Sequence, residues 1–212
     1  IFSFNGADER FMIYGDILFN VNNYQWEKTK LSISYRLTKQ CCNFLNNCIL
    51  KNDRMNSLKS GDKIRYIICD CFGDNKIIKK YNNLSTYNEV FRYLHDYDYE
   101  DIFILAPSVK SSKSPVRILA NTLSNNKIPI YVPTNDDEKI DDQVLKGKIA
   151  FCTFHQTKGL ERKVVLVFNI DKSYFDYYNK NVDPNKCPNE LYVAFTRCSE
   201  KMTVFHHYKN NF

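Results

Sequence analysis

The sequence predicts an α/β domain in which a mostly parallel β-sheet carries helices on both faces. Short runs rich in branched and aromatic residues alternate with segments of helical spacing, which is the pattern of consecutive β-α-β units. One run, residues 101–106 (DIFILA), is almost wholly apolar, as expected for a strand covered on both faces. The 212 residues, 43% of them hydrophobic, are enough for one large domain or two small ones.

Each element has its own sequence signal. Branched and aromatic residues predict the strands, and apolar residues three or four apart predict the helices. Ser114-Pro115 supplies a cap and a first-turn proline for one helix, and Ser85 is a candidate cap for another. Polar, aromatic segments 20–27 and 174–188 are predicted loops. The predicted strands are residues 63–70, 101–106, 128–132, 148–154, 163–169 and 202–208, and the predicted helices are 38–50, 85–96, one opening at 114, and 189–200.

Charge and hydropathy narrow the classes of partner. The net charge of +6 suits a polyanion, because Lys and Arg that neutralise phosphates release counterions, although scattered cations are also typical of a solvated surface. No apolar run approaches the roughly 20 residues of a membrane helix, and no basic stretch precedes the first apolar run as in a signal peptide. We therefore expect no membrane partner and no secretion. Because the chain begins at Ile1 inside an apolar run, we also expect residues upstream.

The eight cysteines predict a reducing compartment, the cytoplasm or the nucleus. They form no CxxC pair and no zinc-finger spacing, and most lie in apolar stretches such as 67–69 and 150–152. Buried, reduced thiols are therefore expected rather than disulfides or a metal site.

Charged residues follow several predicted strands. In open α/β sheets ligands bind beyond the carboxyl ends of the strands, so these positions are candidate binding residues. Arg36 follows an apolar run, and His155, Lys158 and Glu161 follow the strand that ends near residue 154. Taken singly, each is also explained as an ordinary surface, loop or capping residue.

Arg197 lies among apolar residues in the predicted helix 189–200. Burial of a guanidinium costs free energy unless it finds an anion. The sequence leaves three explanations open: a functional anion, an ion pair with Glu190 or Glu200, or simple exposure.

Four segments, in order, resemble signature motifs of superfamily 1 DNA helicases of the UvrD/Rep type, those of motifs V and VI with high specificity. They are residues 2–8 (FSFNGAD, the end of motif III), 31–36 (LSISYR, motif IV), 153–161 (TFHQTKGLE, motif V) and 191–197 (LYVAFTR, motif VI). The resemblance spans the chain and implies a RecA-like, P-loop NTPase-type fold. It implies that residues 1–30 are the remnant of motif III and a connector from a missing first motor domain, and that 31–212 form the second RecA-like domain.

The resemblance implies two catalytic residues, Arg36 and Arg197, in contact with the γ-phosphate of an ATP held on the neighbouring domain. Arg197 would be an arginine finger, which stabilises charge on the transferring phosphoryl group. The family's pattern also implies further contacts with the nucleotide. Tyr35 would stack on adenine, Glu161 would bind the ribose, and Gly159 would give the backbone room there.

Lys158 would face phosphate or shape the turn of motif V. The DNA-binding residues implied by the resemblance are Phe4, Asn5, Thr153 and His155. Phe4 would stack on a base of single-stranded DNA, with core packing as its alternative, and Asn5 stands where the family often has Arg.

The sequence contains no G-x-x-x-x-G-K-[ST] loop, since Gly147-Lys148 is followed by Ile149. We therefore expect an ATP-dependent DNA helicase whose ATP and Mg²⁺ are held on a first RecA-like domain, with single-stranded DNA as the second partner. This chain alone should not hydrolyse ATP. The alternatives are a non-catalytic nucleic-acid-binding protein derived from a helicase, a subunit of a helicase-nuclease repair complex, or a flavodoxin-like domain in which Arg36, Glu161 and Arg197 are scattered.

Overall fold

A six-stranded parallel sheet forms the centre of the computed structural model, which describes residues 32–72, 86–136, 138–180 and 187–210. The strands lie in the order β3-β8-β7-β4-β6-β5, and each pairs in parallel with its neighbours. This confirms the predicted α/β class. The strands of this sheet are β3 (Arg65–Cys69), β4 (Ile102–Ala106), β5 (Ile130–Tyr131), β6 (Ile149–Thr153), β7 (Arg162–Val167) and β8 (Cys198–His207).

Four α-helices are described, and two short strands form a separate parallel pair. The pair joins β1 (Ile33–Ser34) to β2 (Asn56–Ser57) and places Arg36 just beyond β1. The helices are α1 (Lys39–Phe44), α2 (Thr86–Leu94), α3 (Pro115–Asn125) and α4 (Asn189–Phe195). Single π-helical turns follow α1 (Leu45–Leu50) and β7 (Tyr174–Tyr178). No helix within the described ranges is long and apolar enough to cross a membrane.

The core has two layers because alternate strand residues point to opposite faces of the sheet. Phe103 and Leu105 of β4 pack with residues of α1 and α4, whereas Ile102 and Ile104 pack with residues of α2 and α3. All five residues of β4 are fully buried, as its apolar sequence predicts. Ser114 caps α3 by accepting a hydrogen bond from the Arg117 amide at 3.2 Å.

The predicted helix 189–200 is wrong beyond residue 195. The Val193 carbonyl accepts hydrogen bonds from Thr196 Oγ1 at 2.9 Å and Arg197 Nε at 3.0 Å, so side chains compete for the acceptor that the next helical turn would use. The chain then enters β8 at Cys198, where backbone pairing with β7 replaces helical bonds. Part of the predicted loop 174–188 is likewise wrong, because Tyr174–Tyr178 form a helical turn.

All eight cysteines are free thiols. Six are buried, as their apolar context predicts, whereas Cys48 is exposed and Cys187 is half-buried. Residues 1–31 lie outside the described residues, as does the candidate cap Ser85. They include the segment 1–30 that was predicted to be a remnant of motif III and a connector, and the predicted loop 20–27.

Candidate functional site at the amino edge of the sheet

The segment 153–161, which resembles motif V and is called motif V below, runs from the carboxyl edge of the sheet to its amino edge. β6 ends at Thr153 beside the carboxyl end of β4, whereas β7 begins at Arg162 beside the start of β8. Residues 154–161 therefore run back along the strands, and Glu161 lies at the amino edge. The sequence predicted that Glu161 lies beyond the carboxyl end of a strand. This is wrong, because Glu161 directly precedes β7 and so lies at the amino end of that strand.

Arg36 and Glu161 form an ion pair although 125 positions separate them. Arg36 Nε donates to Glu161 Oε2, and Arg36 Nη1 donates to the Thr196 carbonyl at 3.2 Å. The side chains are 37% and 54% exposed, so water screens the pair and its net stabilisation is about 0–1 kcal/mol. The guanidinium of Arg36 can therefore exchange this carboxylate for another anion at small cost.

Arg197 is held more tightly. Its Nη1 donates to the Leu160 carbonyl at 3.1 Å, and its Nη2 donates to Thr196 Oγ1 at 3.0 Å, in addition to the Nε bond at the end of α4. Burial, and then the nearby charge of Arg36, lower the pKa of Arg197 to about 10, which still leaves it cationic at neutral pH. Arg197 thus connects the turn of motif V to α4 by hydrogen bonds, and its positive charge lies close to that of Arg36.

Arg197 is half-buried, and it forms no ion pair with Glu190 or Glu200. Glu190 accepts a hydrogen bond from Tyr174 at 2.7 Å, and Glu200 accepts one from Tyr97 at 3.0 Å. Neither carboxylate is among the ion-pair partners of Arg197, whose guanidinium bonds instead to carbonyls and a hydroxyl.

A pocket of about 750 Å³ opens over this cluster. It is lined by three cations and one carboxylate, which favours an anion that also offers hydroxyl donors. Gly159 has φ +91° with open space around it, a backbone conformation that side chains disfavour. The predicted residues that line the pocket are Tyr35, Arg36, Lys158, Gly159, Glu161 and Arg197.

The sheet topology thus brings all six predicted nucleotide residues to one pocket, and the Tyr35 ring is 84% exposed there. This contradicts the scattered placement expected of a chance match. Sequence reasoning missed Met55 and Tyr192, which also line the pocket and contact each other through Tyr192 Oη and Met55 Sδ at 3.2 Å. Tyr192 lies inside motif VI and could have been suspected, but no local signal marks Met55.

Thr153 and His155, two of the four predicted DNA residues, lie at the opposite, carboxyl edge. Thr153 is fully buried, and its hydroxyl donates to the Asp136 carbonyl at 3.3 Å and accepts from the Gln156 amide at 3.3 Å. In this conformation Thr153 shapes the turn, and direct contact with DNA would require the turn to move. His155 is 49% exposed, with Nε2 3.5 Å from Glu190 Oε1. Phe4 and Asn5 lie outside the described residues.

Among the described residues, no group of three or more His, Cys, Asp or Glu side chains is placed to hold a metal ion.

Comparison with known proteins yields a shared fold. No protein-family model matches the sequence, and no curated protein matches it. Among solved structures, the chain is similar to the C-terminal domain of a possible DNA helicase from Lactobacillus plantarum WCFS1, with a TM-score of 0.53 and 16% identity. The match covers 84% of this chain and 90% of that domain. The two chains therefore have the same architecture.

Proposed function

We propose that this chain is the second RecA-like domain of an ATP-dependent DNA helicase of the UvrD/Rep type. The observation that carries the proposal is the convergence of Arg36, Glu161 and Arg197, from three distant segments, on one pocket at the amino edge of the sheet. Those segments resemble motifs IV, V and VI of that family and occur in the same order. ATP with Mg²⁺ would be held on the first motor domain, and its polyphosphate would face this pocket.

The two arginines would have different roles in binding and hydrolysing ATP. Arg197, fixed by backbone carbonyls, would present a preorganised charge to the transferring phosphoryl group. Arg36, half-exposed and paired with one carboxylate, would exchange Glu161 for phosphate oxygens. Glu161 would then accept a hydrogen bond from a ribose hydroxyl, and Tyr35 would offer its exposed ring to the base.

Motif V would connect ATP to DNA. Residues 154–161 run from His155 at the carboxyl edge to Glu161 at the amino edge, and Arg197 holds the turn through the Leu160 carbonyl. Closure of the first domain on the nucleotide would therefore press on the same turn that presents His155 to the strand.

The test is ATP turnover stimulated by single-stranded DNA, measured in the assembly of this chain with its first motor domain. Arg197→Ala should abolish stimulated turnover and largely keep ATP binding, because a finger contributes about 10³–10⁵ in rate. Since that change also frees buried carbonyls, Arg36→Gln serves as a second variant with little effect on folding. Unchanged turnover in both variants would refute the proposal.

A further inference from the structure

Arg162 is the first residue of β7 and directly follows Glu161, yet it belongs to none of the four segments that resemble helicase motifs. Glu161 lines the pocket of about 750 Å³, which we call the Arg36 pocket, and Arg162 does not. Arg162 instead lines a neighbouring pocket of about 560 Å³, which Glu161 also lines. Any effect of Arg162 on a ligand in the Arg36 pocket must therefore pass through another residue.

Three groups hold the guanidinium of Arg162. Its Nη1 donates to the Glu161 carbonyl at 2.8 Å, and its Nη2 donates to the carboxylate of Asp142, in the helical turn Asp142–Leu145 before β6. Its Cζ lies 4.7 Å from the centre of the Phe103 ring on β4, within the range of a cation–π contact. The side chain is only 14% exposed, so these contacts fix its position.

The backbone of Arg162 connects Glu161 to Arg197. The Arg162 amide donates to the Arg197 carbonyl at 3.0 Å, and Arg162 pairs with Cys198 where β7 and β8 begin. The pairing of the two strands is irregular between Arg162 and Val164. Irregularities of this kind change the direction of nearby side chains and are frequent beside active sites. The direction of the Glu161 side chain is thus set at the point where Arg162 is fixed.

Glu161 depends on this anchor when a nucleotide is bound. Its carboxylate is 54% exposed and pairs with Arg36, and such a pair is weak because water screens it. In the proposed function Arg36 exchanges this carboxylate for phosphate oxygens. The carboxylate then keeps its direction through its own backbone, whose carbonyl is held by Arg162.

We propose that Arg162 is a positioning residue, which directs the Glu161 carboxylate toward the ribose of a nucleotide in the Arg36 pocket. Through Glu161, it would allow the pocket to distinguish a nucleotide from a bare polyphosphate. The inference rests on the proposed function for the role of Glu161. It assigns Arg162 no contact with the nucleotide, and the charge of Arg162 is paired with Asp142.

The experiment is calorimetric titration of this chain with ATP and with tripolyphosphate. Arg162→Met keeps an unbranched side chain against Phe103 and removes both hydrogen bonds of the guanidinium. ATP should bind about fivefold more weakly, because the hydrogen bond to the ribose is lost. Tripolyphosphate should bind within about twofold of wild type, whereas a role of Arg162 as a plain positive charge predicts equal weakening of both.

The variant Glu161→Gln identifies the route of the effect. It removes the carboxylate through which Arg162 would act, so adding Arg162→Met to it should leave the ratio of the two affinities unchanged within about twofold.

Lys163→Met is the matched control. It removes the same charge from the next residue, whose ammonium pairs with Asp101 at 3.0 Å and lines the same neighbouring pocket, and it should leave the ratio at its wild-type value. Asp142→Ala changes an exposed residue and releases the same guanidinium from one anchor. It should cause the selective loss of ATP affinity at about twofold, and it tests the inference if Arg162→Met does not fold.

Three outcomes would overturn the inference: equal weakening of both ligands in Arg162→Met, a further fall of the ratio when Arg162→Met is added to Glu161→Gln, or a wild-type ratio in Asp142→Ala and Arg162→Met alike. The failure of the proposed function looks different. A wild-type ratio in Glu161→Gln would remove the ribose role of Glu161, and the inference with it. A lowered ratio in Glu161→Gln with a wild-type ratio in Arg162→Met would refute the inference alone.

Discussion

Glu161→Gln should increase the affinity of the Arg36 pocket for bare polyphosphate. The carboxylate pairs with Arg36 and lies in the pocket that would receive a highly charged anion. Two unit charges about 6 Å apart repel by about 0.7 kcal/mol in water and about 3 kcal/mol at an effective dielectric of 20. Because Glu161 is 54% exposed, we expect a value near the lower limit, about 1 kcal/mol, or roughly fivefold in affinity.

The same substitution should lower the preference for ATP over tripolyphosphate. Glutamine loses the charged acceptor for the ribose hydroxyl, a hydrogen bond that contributes about 1 kcal/mol and offsets the gain at the phosphates. In calorimetric titrations, Glu161→Gln should therefore bind tripolyphosphate more tightly than the wild type does and should bind ATP with nearly wild-type affinity.

Asp62→Asn is the matched control for Glu161→Gln. It breaks another exposed ion pair, with Lys201 on β8, that lies outside the pocket, so both affinities should stay at their wild-type values. Thermal midpoints should shift little in either variant, because exposed ion pairs are screened by water and contribute little to stability. An unchanged or weaker affinity of Glu161→Gln for tripolyphosphate would refute the electrostatic reasoning.

Three further predictions concern the framework of the site and are measured by urea unfolding. Gly61→Ala places a Cβ 2.4 Å from Thr38 Cγ2, at the cap of α1, and should cost about 1–3 kcal/mol. Ser114→Ala removes the side-chain cap of α3 and should cost about 1 kcal/mol. Glu89→Gln should cost about 2 kcal/mol at pH 7, because it removes the charge of a buried carboxylate that is hydrogen-bonded to the half-exposed Arg65 and Arg92.

The Glu89 effect should depend on pH in a defined direction. Burial opposes ionisation, but hydrogen bonds from Arg92, Arg65 and Thr203 outweigh it and lower the pKa of Glu89 below its ordinary value. A lowered folded pKa means that the stabilisation is complete above the unfolded pKa and is lost as pH falls through the folded one. The wild-type advantage over Glu89→Gln should therefore shrink in acid, and a constant difference from pH 7 to about pH 3 would contradict the assignment.

Substitutions at exposed residues serve as controls for Gly61→Ala and Ser114→Ala. Ser60→Ala is next to Gly61, and Ser124→Ala is on α3 near its other end, and both residues are exposed. Each should change the free energy of unfolding by less than about 0.5 kcal/mol. Equal costs for Gly61→Ala and Ser60→Ala would mean that the close approach to Thr38 is not what restricts the position.

The local sequence correctly predicted the strands and helices that are determined by neighbouring residues. Residues 102–106 are wholly apolar and form a strand in which every residue is buried, and Ser114-Pro115 caps the helix that it predicts. The end of α4 could not be found this way, because Leu191 to Arg197 has uniform helical spacing. Side-chain competition for the Val193 carbonyl and pairing with β7 end the helix, and the second of these depends on long-range contacts.

The sequence identified which residues form the candidate site, but it did not show where on the sheet the site lies. The motifs identified Arg36, Glu161 and Arg197, yet only the topology shows that they meet at the amino edge, because Glu161 and Arg197 precede β7 and β8. The pairing of Arg36 with Glu161 spans 125 positions and leaves no trace in local spacing.

The central claim is that Arg36 faces a nucleotide held by a partner domain, and arginine modification tests it most directly. In the two-domain assembly, phenylglyoxal labelling would be followed by mass spectrometry with and without a non-hydrolysable ATP analogue. Arg65 is the internal control, because it is 43% exposed and paired with Glu89, whereas Arg36 is 37% exposed and paired with Glu161. We predict that the analogue protects Arg36 and leaves Arg65 unchanged, and equal labelling of Arg36 in both conditions would contradict the account.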